Sequence, residues 1–165
     1  IKDNFGEIIL SSDVDIQFFG TCLSVIHESI AGKDIVFQSE CWPPTGEVNC
    51  GFVAIRCNAK TLDFYNRISR IEFEKMPLAD QSAVNKFLQE EPNDLKWDVF
   101  PAQVWARSHG CAPPDDIILH HANCASNTAQ KIKQLNLIRQ MISVRPWSSG
   151  LIFKKVYNFK NTRIK

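Results

Sequence analysis

The sequence predicts an α/β domain, a mixed β-sheet flanked by helices. Three observations lead there. Short runs rich in aliphatic, β-branched and aromatic residues recur at Ile8-Ile9-Leu10, Asp34–Gln38, Asn49–Arg56 and Asp116–His121, the length and composition of strands. Between them lie segments with apolar residues three and four apart, the period of a helix with one buried face. Strand and helix alternate along the chain, the order that gives layered sheets covered by helices. At 165 residues the chain is long enough for one domain with its own core. Residues 1–165 are read as that single domain, ending in a basic, aromatic tail over 151–165.

Composition removes some functions. A hydrophobic content of 44% and a charged content of 22% are those of an ordinary globular protein. A net charge of +1 argues against a broad nucleic-acid-binding face. No apolar run approaches the roughly 18 residues of a membrane span. There is no signal peptide, and the chain opens at Ile1, so the compartment is left open between Golgi lumen and cytoplasm. The six cysteines (22, 41, 50, 57, 111 and 124) include no C-x-x-C pair; they are expected to be mostly buried thiols.

In order, the Ile8 run is expected to be a buried strand. Thr21 to Ala31 follows as a helix with Leu23, Ile26 and Ile30 inward, stopped by Gly32. Asp34 to Gln38 is a strand, Ser39 to Val48 a Pro- and Gly-containing loop, and Asn49 to Arg56 a strand. Within the latter, Gly51 signals a bulge or a ligand that approaches the backbone closely. Asn58 is placed to cap a helix with Leu62, Tyr65, Ile68 and Ile71 buried. Beyond Pro77 comes a helix over Asp80 to Glu90, with Val84, Phe87 and Leu88 inward. Lys96 to Val99 is a short strand, Ser108 to Pro114 a loop, and Asp116 to His121 a strand. Asn127 or Thr128 opens a helix expected to bury Ile132, Leu135, Ile138 and Ile142.

The chemistry begins at Asp13-Val14-Asp15. Two carboxylates just past a strand end lie where open α/β sheets bind ligands, and such hard oxygen donors suit Mg²⁺ or Mn²⁺. A solvated turn has the same composition. A second potential donor is the pair His120-His121 at the end of a late strand. Neighbours on a strand face opposite ways, so one imidazole alone points toward any given site.

Five pieces occur in a particular order: Ser12-Asp13-Val14-Asp15; Asp34-Ile35-Val36-Phe37-Gln38; Asn49-Cys50-Gly51-Phe52; Asp80-Gln81 with Asn85; and His121-Ala122-Asn123 with Lys131. In these the chain resembles the nucleotide-diphospho-sugar transferase domains of the GT-A glycosyltransferase fold. That group includes plant xylosyl- and arabinosyltransferases. The resemblance implies a GT-A-like (Rossmann-like) mixed sheet. With seven residues before Ile8, it also implies an excerpt that lacks the N-terminal nucleoside-binding β/α units. It implies metal-dependent transfer of a sugar from a nucleoside diphosphate, a UDP-sugar, to a glycan or protein acceptor, with retained anomeric configuration and Mn²⁺ or Mg²⁺ as cofactor.

Residue by residue, the resemblance assigns Asp13, Asp15 and His121 to the metal, the motif position favouring His121 over His120. Asp13 also reaches ribose or sugar hydroxyls. Lys131 meets the diphosphate. Asp80 and Gln81 contact acceptor or donor-sugar hydroxyls, with Asn85 in support. Asn49 and Gly51 lie under the sugar, and Asn123 belongs to the donor site. Gln38 and Glu40, just beyond a strand end, are weaker candidates. Trp42 and Trp105 are read as core cover before aromatic sugar walls. The chain departs from the family at Asn127, where a Gly is usual and a positive φ is expected, and at Cys124, where an aromatic is usual. Two other readings remain: a sugar-binding or scaffolding relative without activity, and a haloacid-dehalogenase-type phosphatase. The latter would use Asp13 as nucleophile and Asp15 as general acid, with Asp115-Asp116 as its late acidic pair.

Overall fold

The structure, a computed structural model, describes residues 1–70, 79–90 and 94–143. The mixed α/β architecture is present, with the strands divided between two open sheets. The first contains β1 (Ile8–Ser12), β3 (Ile35–Ser39), β4 (Val48–Arg56) and β5 (Trp97–Val99) in the order β1-β4-β3-β5. The second contains β2 (Ile16–Phe18), β6 (Val104–Ala106) and β7 (Leu119–His121) in the order β2-β7-β6. Each is mixed: β3–β5 and β6–β7 run parallel, the other pairs antiparallel. Helices α1 (Leu23–Ser29), α2 (Ala59–Ile68), α3 (Ala79–Glu90) and α4 (Thr128–Ser143) cover them.

β3 and β4 are the central strands, which is why their sequences are near-continuously apolar. Strand alternation divides their side chains between two cores. Ile35, Phe37, Val53 and Ile55 pack on Phe64 and Ile68 of α2 and on Val84 and Phe87 of α3. Val36, Phe52 and Ala54 pack on Ile26, Ile30, Val104 and Leu119. A third cluster, Trp105, Ile117, Ile138 and Met141, lies beneath α4. Burying a side chain such as Phe64 or Phe37 stabilises the fold by about 2–3 kcal/mol. Asn58 caps α2 as expected: its Oδ1 accepts from Thr61 N–H at 3.0 Å, and Thr61 Oγ1 accepts from Asn58 N–H at 3.1 Å.

Several expectations are corrected. β1 is a half-buried edge strand with Leu10 exposed, not a buried one. Leu23 is exposed, and α1 buries Ile26. In α2 the inward residues are Thr61, Phe64 and Ile68, with Leu62 and Tyr65 half-buried. α4 is rotated from the expected face: Gln134, Ile138 and Met141 are buried, Ile132 is exposed and Leu135 half-buried. A glutamine at an inward position hid that phase. β2 and β6, three residues each, carried no signal long enough to read. Asn127 has no positive φ; that conformation falls on Cys124, at φ 58°. Asn127 instead caps α4, its Oδ1 accepting from Gln130 N–H at 3.0 Å. The cysteines are free, and Cys57 alone is fully buried. Ile71, Pro77 and the basic tail over 151–165 lie outside the described residues. Among the described residues no helix is long and apolar enough to cross a membrane.

Candidate active site

The two sheets meet at Asp13-Val14-Asp15. Asp13 N–H donates to Gly51 O at 2.8 Å, extending the β1–β4 ladder one step past Ser12 and Phe52. Ala122 N–H donates to Asp15 O at 2.9 Å, extending the β2–β7 ladder one step past Ile16 and His121. The acidic turn is therefore the corner where the chain leaves one sheet and enters the other. Val14, at the tip, is fully exposed. The ladders place the carboxylates on either side of it, Asp13 more than half exposed and Asp15 buried.

His121 reaches this corner from β7. Its Nε2 lies 3.5 Å from Asp13 Oδ2 and 3.5 Å from Asp15 Oδ1. Its ring rests against Gly51, where a Cβ would fall on the imidazole. The group close to Gly51 is thus the protein's own His121 ring rather than the ligand the sequence suggests. The β3–β4 register also shifts between Phe37 and Gln38, opposite the stretch of β4 that contains Gly51. At Nδ1 the ring meets Gln38 Oε1 at 2.7 Å. His120, on the opposite face of β7, is fully buried, stacks on Trp105 with centroids 4.8 Å apart and contacts Gln134 at 3.1 Å. Strand alternation separates the two histidines.

Asp13, Asp15 and His121 each offer a ligand atom within 4.8 Å of the others. Adjacent ligands on a small divalent cation sit about 3 Å apart and opposite ones about 4.2 Å, given bonds of about 2.1 Å. The 3.5 Å spacings fall in that range, and two carboxylates with an imidazole are a donor set that could hold a divalent cation. Lys131, in the first turn of α4, places Nζ 2.7 Å from Asp15 Oδ2. A hydrogen bond from His121 Nε2, made when that ring is protonated on both nitrogens, holds the Asp15 carboxyl well below the usual range against the effect of burial, helped by Lys131. Asp13 is pushed the other way, by desolvation and by repulsion from Asp15 and Asp80, with His121 opposing. One acid is thus firmly ionised while its neighbour gains most from a cation.

These groups line a cavity of about 190 Å³ together with Asn49, Cys50, Gly51, Asp80, Gln81, Asn123 and Cys124. The structure brings Asp13, Asp15, Asn49, Gly51, Asp80, Gln81, His121, Asn123 and Lys131 to one place. Asn85 is not among the lining residues: its amide bonds both to Val48 N–H and to Val48 O, at 2.8 Å each, and to Gln81 O at 2.9 Å, tying α3 to β4. The Asn123 amide is occupied by Ser108. A larger cavity of about 360 Å³, lined by Lys60, Asp63, Phe64, Arg67, Phe87, Asp94 and Leu95, contains none of these motifs.

Two residues matter more than sequence reasoning allowed. Gln38 is completely buried against His121. Glu40 Oε2 accepts from Asn49 Nδ2 at 2.7 Å and from Gln81 Nε2 at 3.1 Å, clamping two cavity amides. The available signal for Gln38 was its place two residues after Val36, on a strand face otherwise apolar. Trp105 is core, as expected; Trp42, expected as core cover, is instead exposed and lies 6.2 Å, centroid to centroid, from His109. Asp116 accepts from Gln103 at 2.7 Å, and neither it nor Asp115 lines the cavity. The late acids needed by a phosphatase are therefore elsewhere.

A mixed α/β domain with an acid–acid–imidazole corner and an adjoining lysine defines a GT-A-like class of domain. The chain belongs to the nucleotide-diphospho-sugar transferase family, whose sequence profile matches residues 4–135. It is similar to "Uncharacterized protein At4g15970" of Arabidopsis thaliana, 25% identical over 151 residues, covering 74% of this chain and 38% of that protein. The chain thus spans well under half the length of that curated relative. No solved structure matches significantly.

Proposed function

We propose that this chain carries the metal and diphosphate-binding part of a glycosyltransferase that moves a sugar from a nucleoside diphosphate, of the UDP-sugar class, to a glycan or protein acceptor. The supporting observation is the convergence of Asp13, Asp15, His121 and Lys131 in one cavity. Asp13, Asp15 and His121 would hold Mn²⁺ or Mg²⁺. When bound, the cation supplies Lewis-acid neutralisation of the diphosphate. Lys131 would swing its ammonium from Asp15 to the leaving phosphate, whose charge rises as the glycosidic bond breaks. Asp80 and Gln81 at the start of α3, with Asn49, would meet sugar or acceptor hydroxyls. In line with the retaining members of the family, the anomeric configuration is kept.

The test is incubation of the protein with a panel of nucleotide sugars and Mn²⁺, following sugar transfer and donor hydrolysis. Metal-dependent turnover of one donor is expected. Saturable sugar-nucleotide binding without turnover would favour the inactive sugar-binding relative. Phosphate release from a simple phosphomonoester, with no sugar nucleotide consumed, would reject the transferase.

A further inference from the structure

We propose that Gln38 is a positioning residue that fixes the His121 imidazole with its proton on Nδ1, so that Nε2 faces Asp13 and Asp15 with its lone pair free for a cation. The inference rests on the metal reading of the corner for its last clause only.

The hydrogen-bond wiring runs in one direction. The Val104 carbonyl can only accept, so the Gln38 group facing it at 3.3 Å is the amide NH₂. That fixes Oε1 on the other side, 2.7 Å from His121 Nδ1. An amide oxygen only accepts, so Nδ1 carries the hydrogen. In a neutral imidazole Nε2 is then unprotonated, and Nε2 is the atom 3.5 Å from both carboxylates. Reversing the amide would set oxygen against the Val104 carbonyl and leave buried groups unpaired, a substantial penalty at a residue with no solvent exposure. On one side the ring is held by the backbone of Gly51, where any Cβ would collide with it.

The choice of an amide has its own logic. Imidazoles that bind metals generally donate their second nitrogen to a carboxylate or carbonyl, which sets the tautomer. A carboxylate here would add a third negative charge beside Asp13 and Asp15, and it has no hydrogen for Val104. Gln38 satisfies both neighbours while remaining neutral. Period-two alternation supplies the placement: Gln38 continues the face of Val36 toward the second sheet.

The decisive measurement needs neither metal nor mutation. Long-range ¹H–¹⁵N correlations of the His121 ring in the metal-free protein, recorded on the neutral form of the ring, should report the Nδ1–H tautomer. Gln38→Leu should give a mixture of tautomers and lower Mn²⁺ affinity roughly 10- to 100-fold. Gln38→Glu, which keeps the acceptor, should retain the tautomer and most of the affinity. An Nε2–H tautomer in the wild-type protein would overturn the proposal whatever the metal does. So would a folded Gln38→Leu protein with unchanged tautomer and unchanged Mn²⁺ affinity. If Gln38→Leu does not fold, the wild-type ring and Gln38→Glu still decide. Wild-type protein with the Nδ1–H tautomer but no Mn²⁺ binding would instead reject the metal reading and leave the positioning of the ring intact.

Discussion

The two faces of β7 hold the same side chain in two different settings. On one, His120 lies between Trp105 and α4, its Nε2 3.1 Å from Gln134 Nε2, and desolvation pushes its pKa down to about 3. On the other, His121 is just as inaccessible but faces two carboxylates, a buried amide and a glycine without a Cβ. Burial therefore says nothing about which histidine is functional. The distinction lies in the company kept: an aromatic and a single amide make a core residue, whereas opposed acids and an oriented amide make a candidate ligand. Changes confined to each face should therefore separate stability from chemistry.

The largest effect is expected from Asp15→Ala. This residue is both a proposed cation ligand and the counter-charge of Lys131. Its removal should abolish Mn²⁺-dependent donor binding and reduce transfer on the order of a thousandfold. Full metal-dependent activity in this variant, measured beside wild type, would mean that the corner is not the metal site. Lys131→Ala should follow at about a hundredfold in kcat, near 3 kcal/mol, with Mn²⁺ affinity retained. A loss confined to KM would place the lysine in ground-state donor binding instead.

The histidine pair tests the contrast directly. His121→Ala should weaken Mn²⁺ binding, with activity partly restored by excess metal, and should also lower the melting temperature, since it strands the buried Gln38 amide. His120→Ala should leave Mn²⁺ affinity intact and cost about 2–4 kcal/mol of stability, because it opens a cavity against Trp105 and strands Gln134. Calorimetric melting and Mn²⁺ titration of both variants would read this out. The opposite pattern would show that the two faces have been exchanged.

Acid should act on the core face. His120 and His109 are held at about 3 and about 4, below their ordinary 6.5, mainly by desolvation. The unfolded chain binds protons at both sites below pH 6.5, while the folded chain refuses them until the depressed values are reached. Their contribution is thus fully present above pH 6.5 and is lost as pH falls toward 4 and 3. The loss is at most about 1.4 kcal/mol per unit for each. Asp15, whose pKa is lowered, contributes in a lower window: its share is present above pH 3.8 and declines below it. Melting temperatures from pH 7 to 4.5 should fall steadily, and a flat profile would contradict the buried neutral state of these imidazoles.

What was legible in the sequence followed from local rules. The central strands β3 and β4 were visible because burial on both faces demands an unbroken apolar run. The Asn58 cap was visible because a helix start has few chemical solutions. Asp13, Asp15 and His121 were visible as polar residues at strand ends. The division into two sheets was not, since β2 is set by a partner strand about a hundred residues away in sequence and β6 by one 15 residues away. α4 was misread because Gln134 occupies a buried position on the strength of one contact to His120. Gln38 and Glu40 ranked only as weaker candidates for a related reason: their value is the orientation they impose on other side chains, and no spacing rule encodes an orientation.

Glu40 provides the mildest test on the seam face. Its Oε2 is shared by Asn49 Nδ2 and Gln81 Nε2, and these amides also bond to each other at 3.1 Å. Asn49 Oδ1 accepts from Gly51 N–H at 2.8 Å, so the amide that Glu40 holds also braces the backbone beneath His121. Glu40→Gln keeps one acceptor oxygen in place. It exchanges a charged acceptor for a neutral one, weakening two hydrogen bonds by about 1 kcal/mol together. KM for the sugar donor or acceptor should rise a few-fold, while Mn²⁺ affinity stays within twofold of wild type (a bound of about 0.4 kcal/mol). Glu40→Ala should show the same pattern more strongly, since both amides then lose their common acceptor. A fall in Mn²⁺ affinity that exceeded the change in KM would mean that Glu40 acts on the cation through Gly51 and His121, and that the amide end and the metal end of the cavity form one unit.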